Sequence, residues 1–110
     1  MKRNKLPSEK TMRYFSELLL EVLKDNKPVK RKVLVDLVQN LNTKETKFSG
    51  RVLRYTVNYM RANGIAPIIG SDDGYQLTKD KALILKSIKR MKASVSTQMD
   101  AIYGLTSFIQ

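Results

Sequence analysis

The side chains best suited to hydrogen-bonding chemistry lie close together between Ser49 and Ala62. This stretch holds three arginines, Tyr55 and Asn58, and it has no acidic residue. A guanidinium group offers paired donors to guanine, an asparagine amide can pair with adenine in both directions, and a tyrosine can meet a phosphate or a thymine methyl. The stretch is therefore suited to contacting a polyanion rather than to making or breaking bonds.

Catalytic chemistry has little support in the composition. The chain has no cysteine and no histidine, which removes disulfides, thiolate and imidazole chemistry, and every common zinc ligand set except carboxylates. The neighbouring acids Asp72 and Asp73 could bind a cation weakly, but two adjacent loop acids are more often just a turn. We expect no enzyme activity, no cofactor, no metal site and no small-molecule substrate.

The charge balance points to a class of partner. Lysine and arginine total 21 against 10 acidic residues, a net charge of +11. A surface this basic attracts polyanions through Coulomb steering and counterion release. The alternative is that surplus lysine merely keeps the protein soluble, so the distribution of the charge has to decide.

Helical spacing places the donors on one side of a helix. Successive residues lie about 100° apart, so Leu53, Val57 and Met60 share one side with Thr56 beside them, and we expect them to pack inward. The opposite side carries Arg51, Arg54, Tyr55, Asn58, Arg61 and Ala62.

Both ends of this helix carry clear signals. Ser49 can cap its start, while Phe48 and Leu53 can form a hydrophobic staple across the cap. Asn63-Gly64 supplies the left-handed residue that closes a helix. We expect a helix from Gly50 to Asn63.

Two helices are expected before it. The first runs from Ser8 to Asp25, where apolar residues recur at helical spacing between a proline-serine start and an Asn-Lys-Pro stop. The second is marked by Val33, Leu34, Leu37, Val38 and Leu41. Residues 42–47 are wholly polar and suit a solvated turn between packed helices.

A hairpin and a fourth helix are expected after it. Residues 65–69 and 75–77 read as two short strands joined by a glycine-bounded loop at 70–74. Thr78 is the expected cap of the last helix, with Asp80 near the positive end of its dipole.

The last helix carries apolar side chains at steps of four and three, with Gln98 in the one polar place. The members of this heptad seam are Ile84, Ile88, Met91, Val95, Gln98, Ile102, Leu105 and Ile109. A continuous helix would be roughly 45 Å long. The seam either buries against helix one of the same chain or pairs with a second copy, and we favour the homodimer.

Length and hydropathy bound the rest. A chain of 110 residues can build one modest core, and its apolar residues fall in periodic groups with no run long enough to span a membrane. Charged residues interrupt any signal-peptide pattern near the start. We expect a cytoplasmic protein without a membrane partner.

Three short motifs carry a resemblance to a known family. They are Ser-Gly-Arg-Val-Leu-Arg at 49–54, Asn-Gly-Ile-Ala-Pro-Ile at 63–68 and Gly-Tyr at 74–75. Together with the order of three helices and a hairpin, they resemble winged helix-turn-helix proteins, closest to the small type encoded by phages and mobile elements. The likeness covers roughly half the chain.

The resemblance implies a mainly α fold with a small β-hairpin (α+β): a three-helix core, a two-stranded wing and a long C-terminal helix. It makes residues 50–63 the recognition helix and residues 65–77 the wing. Residues 1–78 would then form the winged-helix domain with a basic N-terminal arm. Residues 79–110 would form the long helix, a candidate dimerisation coiled coil. The wing tip departs from the family pattern, since Asp72 and Asp73 stand where a phosphate-gripping wing carries lysine or arginine.

The expected function is binding of double-stranded DNA, by a sequence-reading regulator or a replication or excision accessory. We expect base or near-base contacts from Arg51, Arg54, Tyr55 and Asn58, with Arg61 on the same face. Phosphate contacts are expected from Arg31, Lys32, Lys44, Lys47 and Ser49.

Other basic groups and other functions stay open at this point. The arm residues Lys2, Arg3 and Lys5, and the lysines and arginine between 79 and 92, either reach the DNA backbone or are only solvated. The alternative function is a protein-interaction module on the same scaffold, docking through its C-terminal helix. RNA binding has little support, because only Tyr75 could stack on the small hairpin.

Overall fold

The computed structural model describes residues 6–109, and the predicted arm residues Lys2, Arg3 and Lys5 lie outside them. The elements of the described part are α1 (Glu9–Val22), α2 (Arg31–Leu41), α3 (Gly50–Ala62), β1 (Ile68–Ser71), β2 (Gly74–Leu77) and α4 (Lys81–Thr106). The predicted class, mainly α with a small β-hairpin, is confirmed. None of the helices in residues 6–109 has the length and apolarity needed to cross a bilayer. The chain divides into two compact units, one ending at Lys79 and one beginning at Asp80.

The core of the first unit lies between α1, α2 and α3. It is built from side chains that are almost fully buried, among them Phe15, Leu19, Leu34, Val38, Phe48, Leu53, Val57 and Met60. The rings of Phe15 and Phe48 lie 4.8 Å apart between centroids in a tilted arrangement, which is favourable for aromatic pairs. On α2 only Leu34 and Val38 are buried, whereas Val33, Leu37 and Leu41 are 42–49% exposed.

Short polar side chains set the starts of α1 and α3. The Ser8 hydroxyl accepts a hydrogen bond from the Thr11 amide, and the Ser49 hydroxyl accepts one from the Val52 amide. Each satisfies an amide that the helix itself leaves without a partner. The expected start of α3 is therefore confirmed, and α1 ends three residues before the expected Asp25.

The hairpin is tighter than the sequence pattern indicates. β1 and β2 pair antiparallel from Ile68 opposite Leu77 to Ser71 opposite Gly74, which leaves only Asp72 and Asp73 in the loop. The expected bounds of the loop, 70–74, and of the first strand, 65–69, are therefore wrong. The loop closes early because Gly74 adopts a φ of 114°, a conformation that glycine alone reaches without strain.

A third extended segment closes on the hairpin. Val29 and Tyr75 form an antiparallel bridge in which each amide donates to the other's carbonyl, at 2.8 and 2.9 Å. The Lys30 ammonium donates to the Asp72 carbonyl at 3.0 Å, and the side-chain amide of Gln76 donates to the Asn26 carbonyl at 3.0 Å. The segment from Asn26 to Lys30, which leads into α2, is thus hydrogen-bonded to the hairpin through Asn26, Val29 and Lys30.

The second unit consists of α4 and the residues that follow it. Asp80, rather than the expected Thr78, caps the helix, because its carboxylate accepts a hydrogen bond from the Ala82 amide at 2.9 Å. Thr78 is instead buried, and its amide donates to the Pro67 carbonyl. With 26 residues the helix is about 39 Å long, shorter than expected, and Ile109 lies beyond its end. No residue of α4 is buried.

Candidate nucleic-acid interface

The outward face of α3 is built on four inward anchors. Leu53, Thr56, Val57 and Met60 are at most 1% exposed, which confirms the predicted inward side. The Thr56 hydroxyl is satisfied locally, since it donates to the Val52 carbonyl at 2.7 Å. These anchors fix the rotation of the helix about its axis, and so they fix which side chains point away from the core.

Arg54 and Asn58 are exposed on that outward face. They lie four residues apart, so they follow one another along the same side of the helix. No acidic residue occurs anywhere in α3. The guanidinium group of Arg54 and the side-chain amide of Asn58 are therefore neighbours on the exposed face of α3.

Arg51 and Tyr55 form a second pair on α3. The guanidinium carbon of Arg51 lies 5.2 Å from the centroid of the Tyr55 ring, within the range of a cation–π contact. Both side chains are half-buried. The contact orders the arginine, so less rotamer entropy is lost if the arginine then binds a ligand.

The start of α3 lies next to a cation from α2. A Cβ built on Gly50 would lie 2.8 Å from Nη2 of Arg31. The guanidinium of Arg31 therefore occupies space beside the first turn of α3, where backbone amides and the helix dipole favour an anion. The structure brings together Arg31 and Ser49, two of the predicted phosphate contacts, whereas Lys32 is simply exposed on α2.

The turn between α2 and α3 is braced by side chains that sequence reasoning missed. Asn42 donates to the Thr46 carbonyl at 2.7 Å and accepts from the Lys44 amide at 2.9 Å. Gln39 accepts from the Phe48 amide at 2.8 Å. In a sequence, polar residues in a turn indicate only contact with solvent. In the structure, the side chains of Asn42 and Gln39 act as hydrogen-bond partners for backbone groups of the turn.

Tyr14 of α1 holds the same turn from the other side. Its hydroxyl donates to the Asn42 side chain and accepts from the Thr43 amide, at 3.1 and 2.9 Å. Hydrogen bonding with Thr43 lowers the pKa of the Tyr14 hydroxyl. No local pattern marks this tyrosine, because its partners are far away in sequence.

The two lysines of the turn are exposed. The ammonium of Lys44 lies 5.7 Å from the centroid of the Tyr14 ring, and Lys47 stands just before the cap of α3. Glu45 lies between them in sequence and is exposed too. The braced backbone fixes where these lysines leave the turn, while their long side chains stay adaptable.

Arg61 has a role inside the fold. Its Nε donates to the carbonyl of Ile68 at 2.7 Å and so joins the end of α3 to β1. Burial lowers the pKa of the guanidinium, and the nearby Tyr75 hydroxyl opposes that shift. Of the predicted outward residues, Arg61 is the one that the structure ties to the hairpin.

Because Arg61 is hydrogen-bonded to β1 while Arg54 is exposed, we expect substitutions of these two arginines to differ in their effect on stability. Arg61→Met keeps the aliphatic stem but leaves the carbonyl of Ile68 without its donor, and Ile68 is only 2% exposed. The free energy of unfolding in a urea titration should fall by about 1–2 kcal/mol. Arg54→Met, the matched control on the exposed face, should change it by less than ~0.5 kcal/mol. Equal losses in the two variants would contradict the role given to Arg61.

Within residues 6–109 no group of three or more metal-binding side chains lies close together. Comparison of the chain with protein-family models, with curated proteins and with solved structures found no match.

Proposed function

We propose that this chain is a winged helix-turn-helix protein that binds double-stranded DNA, with α3 in the major groove. In this assignment α2 and α3 form the helix-turn-helix, and β1 and β2 form the wing. A sequence-reading regulator, or an accessory of replication or excision, fits such a protein. The observation that carries the proposal is the outward face of α3, where Arg54 and Asn58 stand exposed without an acidic neighbour on the helix.

The side-chain types on α3 support reading of bases as well as attraction to phosphate. Arg54 can pair with the O6 and N7 atoms of guanine, and Asn58 can pair with N6 and N7 of adenine. The Arg51–Tyr55 pair stands on the same helix, one turn nearer its start. In helix-turn-helix proteins the N-terminal residues of the second helix contact base edges in the major groove, and both pairs lie toward that end of α3.

The phosphate contacts have a separate basis. Arg31, Lys44 and Lys47 come from α2 and from the turn, and all three are exposed. In helix-turn-helix proteins the first helix and the turn cross the DNA backbone while the second helix enters the groove. The hydrogen bonds made by the Asn42 side chain hold the protein backbone of this turn in place.

The first test is selection of bound duplexes from a random pool, followed by titration of the enriched site. Arg54→Ala should weaken binding to that site by about 1–3 kcal/mol, or about 5- to 150-fold, and leave the fold intact. The loss should be smaller on duplexes that differ at the base pair read by Arg54, because a lost base contact relaxes specificity there.

Arg13→Ala is the matched control for this titration. Arg13 is an exposed arginine of α1 that pairs with Glu9 at 3.1 Å and hydrogen-bonds with Tyr59, which raises the pKa of Arg13. Like Arg54→Ala, the Arg13→Ala substitution removes one positive charge, but it does so outside the proposed interface. The affinity for DNA should therefore stay close to that of the parent. Equal losses for Arg13→Ala and Arg54→Ala, or no enriched motif in the selection, would count against base reading by α3.

A protein-interaction module is the second candidate. It is favoured by the acidic tip of the hairpin, where Asp72 and Asp73 are exposed and a phosphate backbone would be repelled. The salt dependence described in the Discussion separates the two functions, because docking on another protein does not release DNA counterions.

A further inference from the structure

The second unit exposes an apolar seam along one side of α4. The seam is defined here by positions a (Ile88, Val95 and Ile102) and positions d (Ile84, Met91, Gln98 and Leu105) of a heptad pattern. Leu85 and Met99 widen it on one flank. Apart from Ile84 and Gln98, these residues are 39–68% exposed. Such a continuous stripe of large apolar side chains on a helix marks an interaction surface.

The charges of α4 are kept off this seam. Lys86, Lys89 and Arg90 occupy heptad positions f, b and c, which point away from a coiled-coil partner. Lys92 flanks the seam at position e, Asp100 is at an outward position, and Lys81, the first residue of the helix, falls at position a before the seam begins. Between Ile84 and Leu105 two copies of the seam can therefore approach without charged residues at positions a or d.

The helix also needs a partner to be stable. No residue of α4 is buried, and its second half holds weak helix formers such as Ser94, Ser96 and Thr97. The Thr97 hydroxyl bonds back to the Ala93 carbonyl at 3.1 Å, which competes with the backbone ladder. Because helices in proteins depend on burial of an apolar face rather than on propensity, the seam must be covered.

We infer that the seam is covered by a second copy of this chain, in a parallel two-stranded coiled coil. In a parallel coiled coil, the β-branched residues at positions a favour two strands over three or four. Parallel pairing also sets Gln98 against Gln98 of the partner subunit, where two amides can hydrogen-bond. In an antiparallel pair that sets positions a against positions d, Gln98 faces an apolar side chain at position a of the partner subunit and loses that bond.

The surface on offer is large enough for such a pair. A specific interface buries at least roughly 600 Å² on each partner. Seven large apolar side chains of this one helix, from Leu85 to Leu105, are each 39–68% exposed and are available to such an interface. This inference goes beyond the proposed function and does not depend on it. Dimeric DNA-binding proteins do, however, read paired half-sites.

The test is sedimentation equilibrium of the full chain at micromolar concentration without DNA. The parent should be a dimer. Val95→Glu places two carboxylates in the seam and should raise the dimer dissociation constant by about a hundredfold or more. Ser96→Glu adds the same charge at an outward position and should leave the dimer intact. A monomeric parent, or a dimer that Val95→Glu leaves unchanged, would overturn the inference whatever the protein does with DNA.

Orientation is tested by cross-linking, which the absence of native cysteine makes simple. Gln98→Cys should form an intermolecular disulfide on mild oxidation, since parallel chains bring the two positions together. Ser96→Cys, on the outward side, should form far less. A dimer that fails to cross-link at position 98 would overturn parallel pairing.

Discussion

Gly74→Ala should destabilise the first unit more than the same change at Gly50, Gly64 or Gly70. Gly74 has a φ of 114°, and a Cβ there would overlap the carbonyl oxygen of Val29 and lie 2.8 Å from the Cα of Lys30. The neighbours are backbone atoms, which cannot rotate away. Backbone strain and the overlap together should lower the free energy of unfolding by about 3 kcal/mol, measured by urea denaturation.

Gly64→Ala is the control that separates strain from overlap. Gly64 also has a positive φ, of 63°, but nothing lies within 4 Å of a Cβ built on it. Only the conformational cost remains, so the loss should be about 1 kcal/mol. If Gly74→Ala cost no more than Gly64→Ala, the close pairing of the hairpin with Val29 would be wrong.

DNA affinity should fall steeply with salt. The four cations assigned to phosphates, Arg31, Lys32, Lys44 and Lys47, correspond to a slope of about −4 in a plot of log affinity against log salt. Between about 50 and about 200 mM salt, affinity should therefore drop roughly a hundredfold. Fluorescence anisotropy with a labelled duplex measures this directly.

The double variant Lys44→Ala/Lys47→Ala should make that slope shallower by about 2, since each lost phosphate contact removes about one unit. Lys24→Ala is the control, because Lys24 is paired with Glu21 on α1 at 2.7 Å and lies outside the proposed interface. A flat salt profile for the parent would favour the protein-interaction alternative over DNA binding.

Local signals in the sequence predicted the most about α3. Ser49 at one end and Asn63-Gly64 at the other act within a few residues of the backbone they terminate, so they can be read without a structure. The helical period then predicted which side is buried, and Leu53, Val57 and Met60 confirm it.

Features that depend on distant partners could not be predicted in this way. The bracing of the turn by Tyr14 and Asn42 and the contact of Arg61 with Ile68 join different elements. Spacing along one helix placed Arg61 with the exposed arginines, because periodicity shows a direction but not what lies there. The cap of α4 was missed for a related reason: both Thr78 and Asp80 can cap, but the backbone amide of Thr78 continues the pairing of the hairpin by donating to the Pro67 carbonyl, and the helix begins only after Asp80.

The bridge between Val29 and Tyr75 has a consequence for how the unit opens. Both α2 and α3 lie in the stretch of chain between these two residues, and the stretch is tied at its ends by a reciprocal pair of hydrogen bonds. Because the bridge closes this stretch into a loop, we expect it to limit the chain entropy gained when α2 or α3 opens alone, and so to favour opening of the two helices together with the hairpin. A protease that acts on opened chains would find α3 either protected with the whole unit or degraded with it.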